Sequence, residues 1–377
     1  MKNKKIIISI IGLLLISSLF IILISKNNNK YIMQDGIMLA LSLDGENIKS
    51  FPDGTNYSVE IDCTNAKGIW NTESWKLNIS DITGNVICNL DFYTRDSNDK
   101  LKMVVESKAT QYSGSNNEDA GYRYSGQNPN NYIWFNNEMW RIIGSIPTKQ
   151  IDGSTTNLVK IIRNDSIGEL SYDAKVGYYE ATGTWGSNTI YTLLNSNYYA
   201  TNVSNLNGNN SIGCYTYKNY VKANCDYTDI GILSTSYYGK MVQEVYWNSG
   251  AVDSHDTTAL QAYSSELTNQ TVKGYIGLIT VGDYGYAFDS KYHNSNMGEF
   301  YYDNYATYNW LYGQGYEWTI SLLDGNSAFA GAIAPRGETS AQHALDNASV
   351  RPAVYLDSNV YIVSGNGTIT NPYQIIL

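Results

Sequence analysis

The stretch from Asn130 to Gly144, NNYIWFNNEMWRIIG, sets two runs of alternating apolar residues on either side of Asn136-Asn137. Alternation at a period of two is the signature of a half-buried strand, and Asn tolerates the left-handed backbone that a two-residue hairpin turn demands. With LVKIIRN, from Leu158 to Asn164, the pattern predicts a three-stranded meander. Its rings are expected to be scaffold, facing a core shared with RPAVYL near the end of the chain. Four tryptophans in such patterned segments, Trp134, Trp140, Trp185 and Trp310, are read as core for the same reason.

The same period recurs closer to the start. Ile37, Leu39, Leu41 and Leu43 alternate before Asp44-Gly45, and the sets Val59/Ile61/Cys63, Trp75/Leu77/Ile79 and Val86/Cys88/Leu90/Phe92 follow. A small all-β sandwich over residues 37–94 is therefore expected, with Cys63 and Cys88 on apolar faces, either bridged or as two buried thiols. Residues 95–120 lose the alternation and read as a linker or an extended entry strand. A larger unit over 121–377 begins and ends in strands. Helical spacing is seen in TWGSNTIYTLLNSNYY and in TSYYGKMVQEVYW, and YIGLITVGDYGYA reads as a strand running into a glycine-rich turn.

Ahead of these units lies an uncharged run of 20 residues from Ile6 to Ser25, preceded by Lys2, Lys4 and Lys5. As a helix it would rise roughly 30 Å, enough to cross a bilayer. The run ends in SKNNNK with no small-residue cleavage site, so a retained signal anchor is expected rather than a cleaved leader. That assigns residues 1–5 to the cytoplasm, 6–25 to the membrane, 26–36 to a stalk and the remainder to the outside.

Composition narrows the partners. The chain holds 25 Lys and Arg against 35 Asp and Glu, a net charge of −10, with no basic stripe beyond the leading lysines, which argues against nucleic acid. Only His255, His293 and His343 are present, and no nucleophile or metalloprotease motif occurs. His255 between Asp253 and Asp256 reads as a solvated cluster. Cys214 and Cys225 bracket a polar loop and read as a local staple, since tetrahedral zinc would need further Cys or His nearby. Oxygen-rich NDSIGE and GDYGYAFDS lack an EF-hand spacing. Neither a cofactor nor a metal is expected. A hydrolase could draw its two carboxylates from Glu138, Asp283, Glu317 or Asp324.

The segments GYRYSGQNPNNYIWFNNEMWRIIG, VKIIRNDSIG, TGTWGSNTIYTLLNSNYY, YIGLITVGDYGYA, EWTIS and VRPAVYLDSNVYIVSGNGTITNPYQI, in that order, resemble a family of mostly uncharacterised surface domains from low-GC Gram-positive bacteria. The unit with Cys63, Trp70, Trp75 and Cys88 resembles the short β domain often found upstream of them. The family is in turn similar to the formylglycine-generating-enzyme and C-type-lectin-like folds, which implies an α+β domain with paired terminal strands and a working face of long loops. Formylglycine chemistry needs a late redox-active cysteine pair, and this chain has no Cys after Cys225. Several relatives of that kind carry prepilin leaders, which this chain does not match.

The expected function is a non-catalytic adhesion or recognition module for a glycan or protein ligand. A carboxylate-dependent envelope hydrolase and a pilin-like structural protein are the alternatives. Contact is expected through tyrosines in loop-like tracts: Tyr215, Tyr217, Tyr220, Tyr284, Tyr286, Tyr301, Tyr302 and Tyr305, with Tyr308 beside them. Arg141 and Arg351 read as framework, paired with buried carboxylates or loop carbonyls.

Overall fold

The computed structural model describes residues 31–34, 37–52, 57–71, 75–174, 181–200, 213–217, 220–227, 233–234, 236–253, 256–267, 271–302, 305–313, 315–323 and 328–377. They form two units, one up to Asp96 and one from Ser97 onward. The run Ile6–Ser25 lies outside the described residues. Among those described, no helix is long and apolar enough to cross a membrane.

In the first unit, strands β1 (Tyr31–Gln34), β2 (Ile37–Leu43), β3 (Glu46–Ile48), β4 (Tyr57–Thr64) and β7 (Ile87–Thr94) build one sheet. A ribbon of β5 (Lys67–Asn71) and β6 (Lys76–Ser80) is separate from it. Asp44 and Gly45, at φ of 49° and 86°, make the tight turn between β2 and β3. Strand β1 pairs along β2, so the expected stalk enters the sheet from Tyr31 onward. Strand β7 runs parallel to β2 and antiparallel to β4, which sets Cys63 directly opposite Cys88. The two are bridged. Leu39, Leu41, Leu90 and Phe92 fill the core, and Phe51, Trp70 and Trp75 gather around Phe92.

In the second unit the expected meander is present as β10 (Tyr132–Phe135), β11 (Glu138–Gln150) and β12 (Thr155–Arg163), all antiparallel. Asn136 and Asn137 turn the hairpin at φ of 54° and 61°. Trp140 and Phe135 are buried edge to face at 5.1 Å, whereas Trp134 is only half-buried, a correction to its core reading. Strand Ala353–Leu356, the RPAVYL segment, pairs with β12, and Tyr373–Ile376 runs parallel to β10. These strands belong to an 11-stranded sheet; a six-stranded sheet contains Glu169–Ser171, Asn347–Ser349 and Glu317–Leu323.

Several expectations are corrected. The stretch read as a linker or an extended entry strand holds helix α1 (Leu101–Lys108), which neither reading includes, and strands β8 (Thr110–Ser113) and β9 (Asp119–Arg123). Leu101 and Val105, one turn apart, bury themselves in the core of the second unit. The segment TSYYGKMVQEVYW is a short 3-10 turn, Tyr238–Met241, followed by strand Val245–Asn248. Helix α2 (Thr189–Thr192) is capped by Asn188 and continues as a π-helical turn through Tyr198. Helices α3 (Ala259–Glu266) and α4 (Val281–Tyr286) each start from a capping box, at Thr258 and Thr280. Helix α4 replaces the expected glycine-rich turn.

Candidate recognition surface

The disulfide Cys214–Cys225 is buried and closes a small hairpin in which Tyr215–Thr216 pairs with Val221–Lys222. The backbone amide of Tyr217 donates to Ser171 Oγ at 2.6 Å, and that of Tyr220 donates to the Ala174 carbonyl at 3.0 Å. Below them, the Leu170 carbonyl accepts from the indole of fully buried Trp318 at 2.7 Å, so the hairpin rests on a rigid sheet.

Tyr217 is 60% exposed and Tyr220 43% exposed, and both sit at a φ of 53°. That left-handed backbone costs a side chain with a Cβ about 1–2 kcal/mol per residue. A bridge across a loop of this size contributes about 3 kcal/mol by loop closure, comparable to the strain of the two residues together. Tyr220 meets Tyr215 edge-on with centroids 5.1 Å apart, which fixes one ring against another. Val221, also exposed, adds an apolar patch. Two strained tyrosines held outward by a covalent staple form a surface whose ordering cost is met before any ligand arrives.

The remaining tyrosines divide. Tyr284 and Tyr286, expected to make contact, are 0% and 1% exposed. Helix α4 turns them inward; Tyr284 Oη donates to the Gly337 carbonyl and Tyr286 Oη to that of Ser113. The side chains of Tyr301, Tyr302 and Tyr305 lie outside the described residues. Tyr308, by contrast, is exposed and shares Lys291 with Tyr292, the ammonium lying 4.8 Å from each ring centroid.

Three of the four carboxylates that a hydrolase could use are engaged in ion pairs. Glu138 pairs with Arg163, Glu317 with Arg351, and Asp283 with both Arg123 and Lys160, at 2.7, 2.7, 2.7 and 2.5 Å respectively. Asp324 lies outside the described residues. Burial pushes the Asp283 carboxyl upward, but Lys160 and Arg123 override it and hold it at about 2. Glu266 lies behind this cluster and takes hydrogen bonds from the Gly282 amide and the Ser321 hydroxyl. Burial raises its carboxyl to about 7. Sequence reasoning missed Glu266 because its isolation is a property of packing.

Arg351 is a framework residue as expected, and Arg141 is held by neutral groups, Asn131 Oδ1 and the carbonyls of Trp310 and Pro129. His293 is buried against the Phe288 carbonyl, which leaves it no open face for chemistry, and His255 falls outside the described residues. Asp253 and Asp256 are joined by a backbone contact, the Asp256 amide donating to Asp253 Oδ1. Among the described residues no group of His, Cys, Asp and Glu could hold a metal ion.

No protein-family model matches the chain, and no curated protein or solved structure matches it.

The two disulfides agree with an extracellular protein, because such bridges persist in oxidising compartments.

Proposed function

We propose that the chain is a membrane-anchored recognition module, displayed outside the cell, that binds a glycan or protein ligand without catalysis. The observation that carries this reading is the stapled hairpin with its outward tyrosines, Tyr217 and Tyr220, at strained φ. A tyrosine ring stacks on a sugar face or an apolar side chain and its hydroxyl adds a hydrogen bond, with little rotamer freedom to lose. Strained backbone at a site where the rings themselves stay in solvent favours a role in contact.

The uncharged run from Ile6 to Ser25 supports the anchor, and the two bridges support an outward-facing location. Pairing of β10 with the late strand Tyr373–Ile376 is in keeping with a lectin-like arrangement of early and late strands. The ion-paired carboxylates speak against a hydrolase.

Glycan and protein arrays probed with the detergent-solubilised chain test the proposal. Binding should fall at least tenfold in Tyr217→Ala and Tyr220→Ala while the melting temperature holds. Binding that is indifferent to both substitutions would move the contact surface elsewhere.

A further inference from the structure

The second unit carries a cleft of about 320 Å³ lined by Lys108, Thr110, Ser125 and Asn130, together with Arg123, Tyr124 and Pro129. Among the described residues no carboxylate lines it. In a chain with a net charge of −10, this is a local reversal of sign.

Three separate observations give the cleft its positive field. Lys108, on the last turn of α1, donates to the Tyr373 hydroxyl at 2.6 Å and lies 5.0 Å from that ring's centroid. It has no acidic partner among the described residues, and two of its three N–H bonds remain for a ligand. Arg123 and Lys160 share a single carboxylate, Asp283, and Glu266 behind it is only partly ionised near neutral pH, so this buried cluster keeps part of an excess positive charge. Arg141 is also buried, between the rings of Tyr132 and Trp310 at 4.2 and 4.4 Å, with only neutral acceptors around it. Its contacts at Pro129 and Asn131 flank Asn130 of the cleft. Buried cations without counter-ions are costly, and an anion bound in front of them recovers part of that cost.

The floor is polar as well. The Tyr124 hydroxyl is buried beside that of Tyr373, and Ser125 Oγ lies 3.0 Å from the Tyr112 hydroxyl. Hydroxyl and amide groups at Thr110, Ser125 and Asn130 suit the hydroxyls of a sugar better than an apolar ring.

We propose that this cleft binds the carboxylate of an acidic saccharide, with Lys108 as the charged contact and Ser125, Thr110 and Asn130 reading the neighbouring hydroxyls. The site is separate from the tyrosine hairpin and does not depend on it.

Calorimetric titration of the detergent-solubilised full chain with galacturonate tests this, with galactose and inorganic phosphate as parallel arms. Galacturonate should bind at millimolar concentration and galactose should not. Lys108→Gln, an exposed position at a helix end, should weaken galacturonate at least tenfold with an unchanged melting temperature. Tyr373→Phe, which frees Lys108 from its hydroxyl partner, should weaken it severalfold. Raising the salt from 0.01 M to 1 M shortens the screening length from about 30 to about 3 Å and should weaken binding further. Phosphate binding as tight as galacturonate would overturn the saccharide assignment. No galacturonate binding, or full binding by Lys108→Gln, would overturn the site.

Discussion

The stapled hairpin makes its own stability calculable. Replacing Cys214 and Cys225 together by Ala removes about 3 kcal/mol of loop-closure stabilisation from a bridge with a sequence separation of 11. What then holds the tip is two backbone hydrogen bonds, from Tyr217 to Ser171 and from Tyr220 to Ala174, worth about 1 kcal/mol each. Against them stand two left-handed tyrosines at about 1–2 kcal/mol each. The balance runs from about zero to about 2 kcal/mol unfavourable, so the hairpin should open locally while the sheets beneath it stay folded. Amide hydrogen exchange reads this directly. Protection at Tyr217 and Tyr220 should drop on the order of 100-fold, the equivalent of about 3 kcal/mol, while protection at Ile142 and Ile161 in the sheet is unchanged. Adding Tyr217→Gly to the double variant relieves one strained residue and should restore about fivefold. Unaltered protection at Tyr217 and Tyr220 in the double variant would refute the idea that the bridge sustains the strain.

Three interior residues carry the other predictions. Glu266 is raised to about 7 in the folded chain from an ordinary 4.5, so its contribution is fully present below pH 4.5 and is lost as pH rises through 7, about 3 kcal/mol in all. Glu266→Gln should flatten urea-measured stability between pH 5 and pH 8, and an unchanged slope would contradict the assignment. Asp283→Asn leaves Arg123 and Lys160 buried without a carboxylate and should cost about 3–5 kcal/mol by the same assay. In the other direction, the lowered Asp283 carboxyl makes the native chain lose stability as pH falls below its ordinary 3.8 toward 2. Trp140→Ala removes a fully buried indole and should cost about 3–5 kcal/mol; an unchanged melting temperature would contradict its place in the core.

The strands were legible in the sequence wherever one face is buried and the other is not, because that asymmetry is written as alternation. β10, β11, β12 and the strands that carry Cys63 and Cys88 are of this kind. Helix α1 was hidden because its short stripe, Leu101 and Val105, lies within an otherwise polar stretch. In α4 the glycines of VGDYGY suggested a turn, yet Thr280 and Asp283 at capping-box spacing signalled a helix start. That signal would have moved Tyr284 and Tyr286 from the surface to the interior. Met241, Val242, Val245 and Tyr246 fall at the spacing of a helical stripe, but Val245, Tyr246 and Trp247 are β-branched and aromatic residues in series, which favour a strand. The tyrosines of the hairpin were recoverable because the flanking cysteines restrict where the loop can go. The excess positive charge behind the cleft was not, since Lys108, Arg123 and Arg141 converge only through folding.

The parallel pairing of β10 with Tyr373–Ile376 has a bearing on biosynthesis. β10 leaves the ribosome long before its outer neighbour exists, so its hydrogen-bonding edge waits unshielded through most of translation. A transcript interrupted ahead of Tyr373 would yield a raw edge beside Ile133 and Trp134, a substrate for proteases and holdase chaperones.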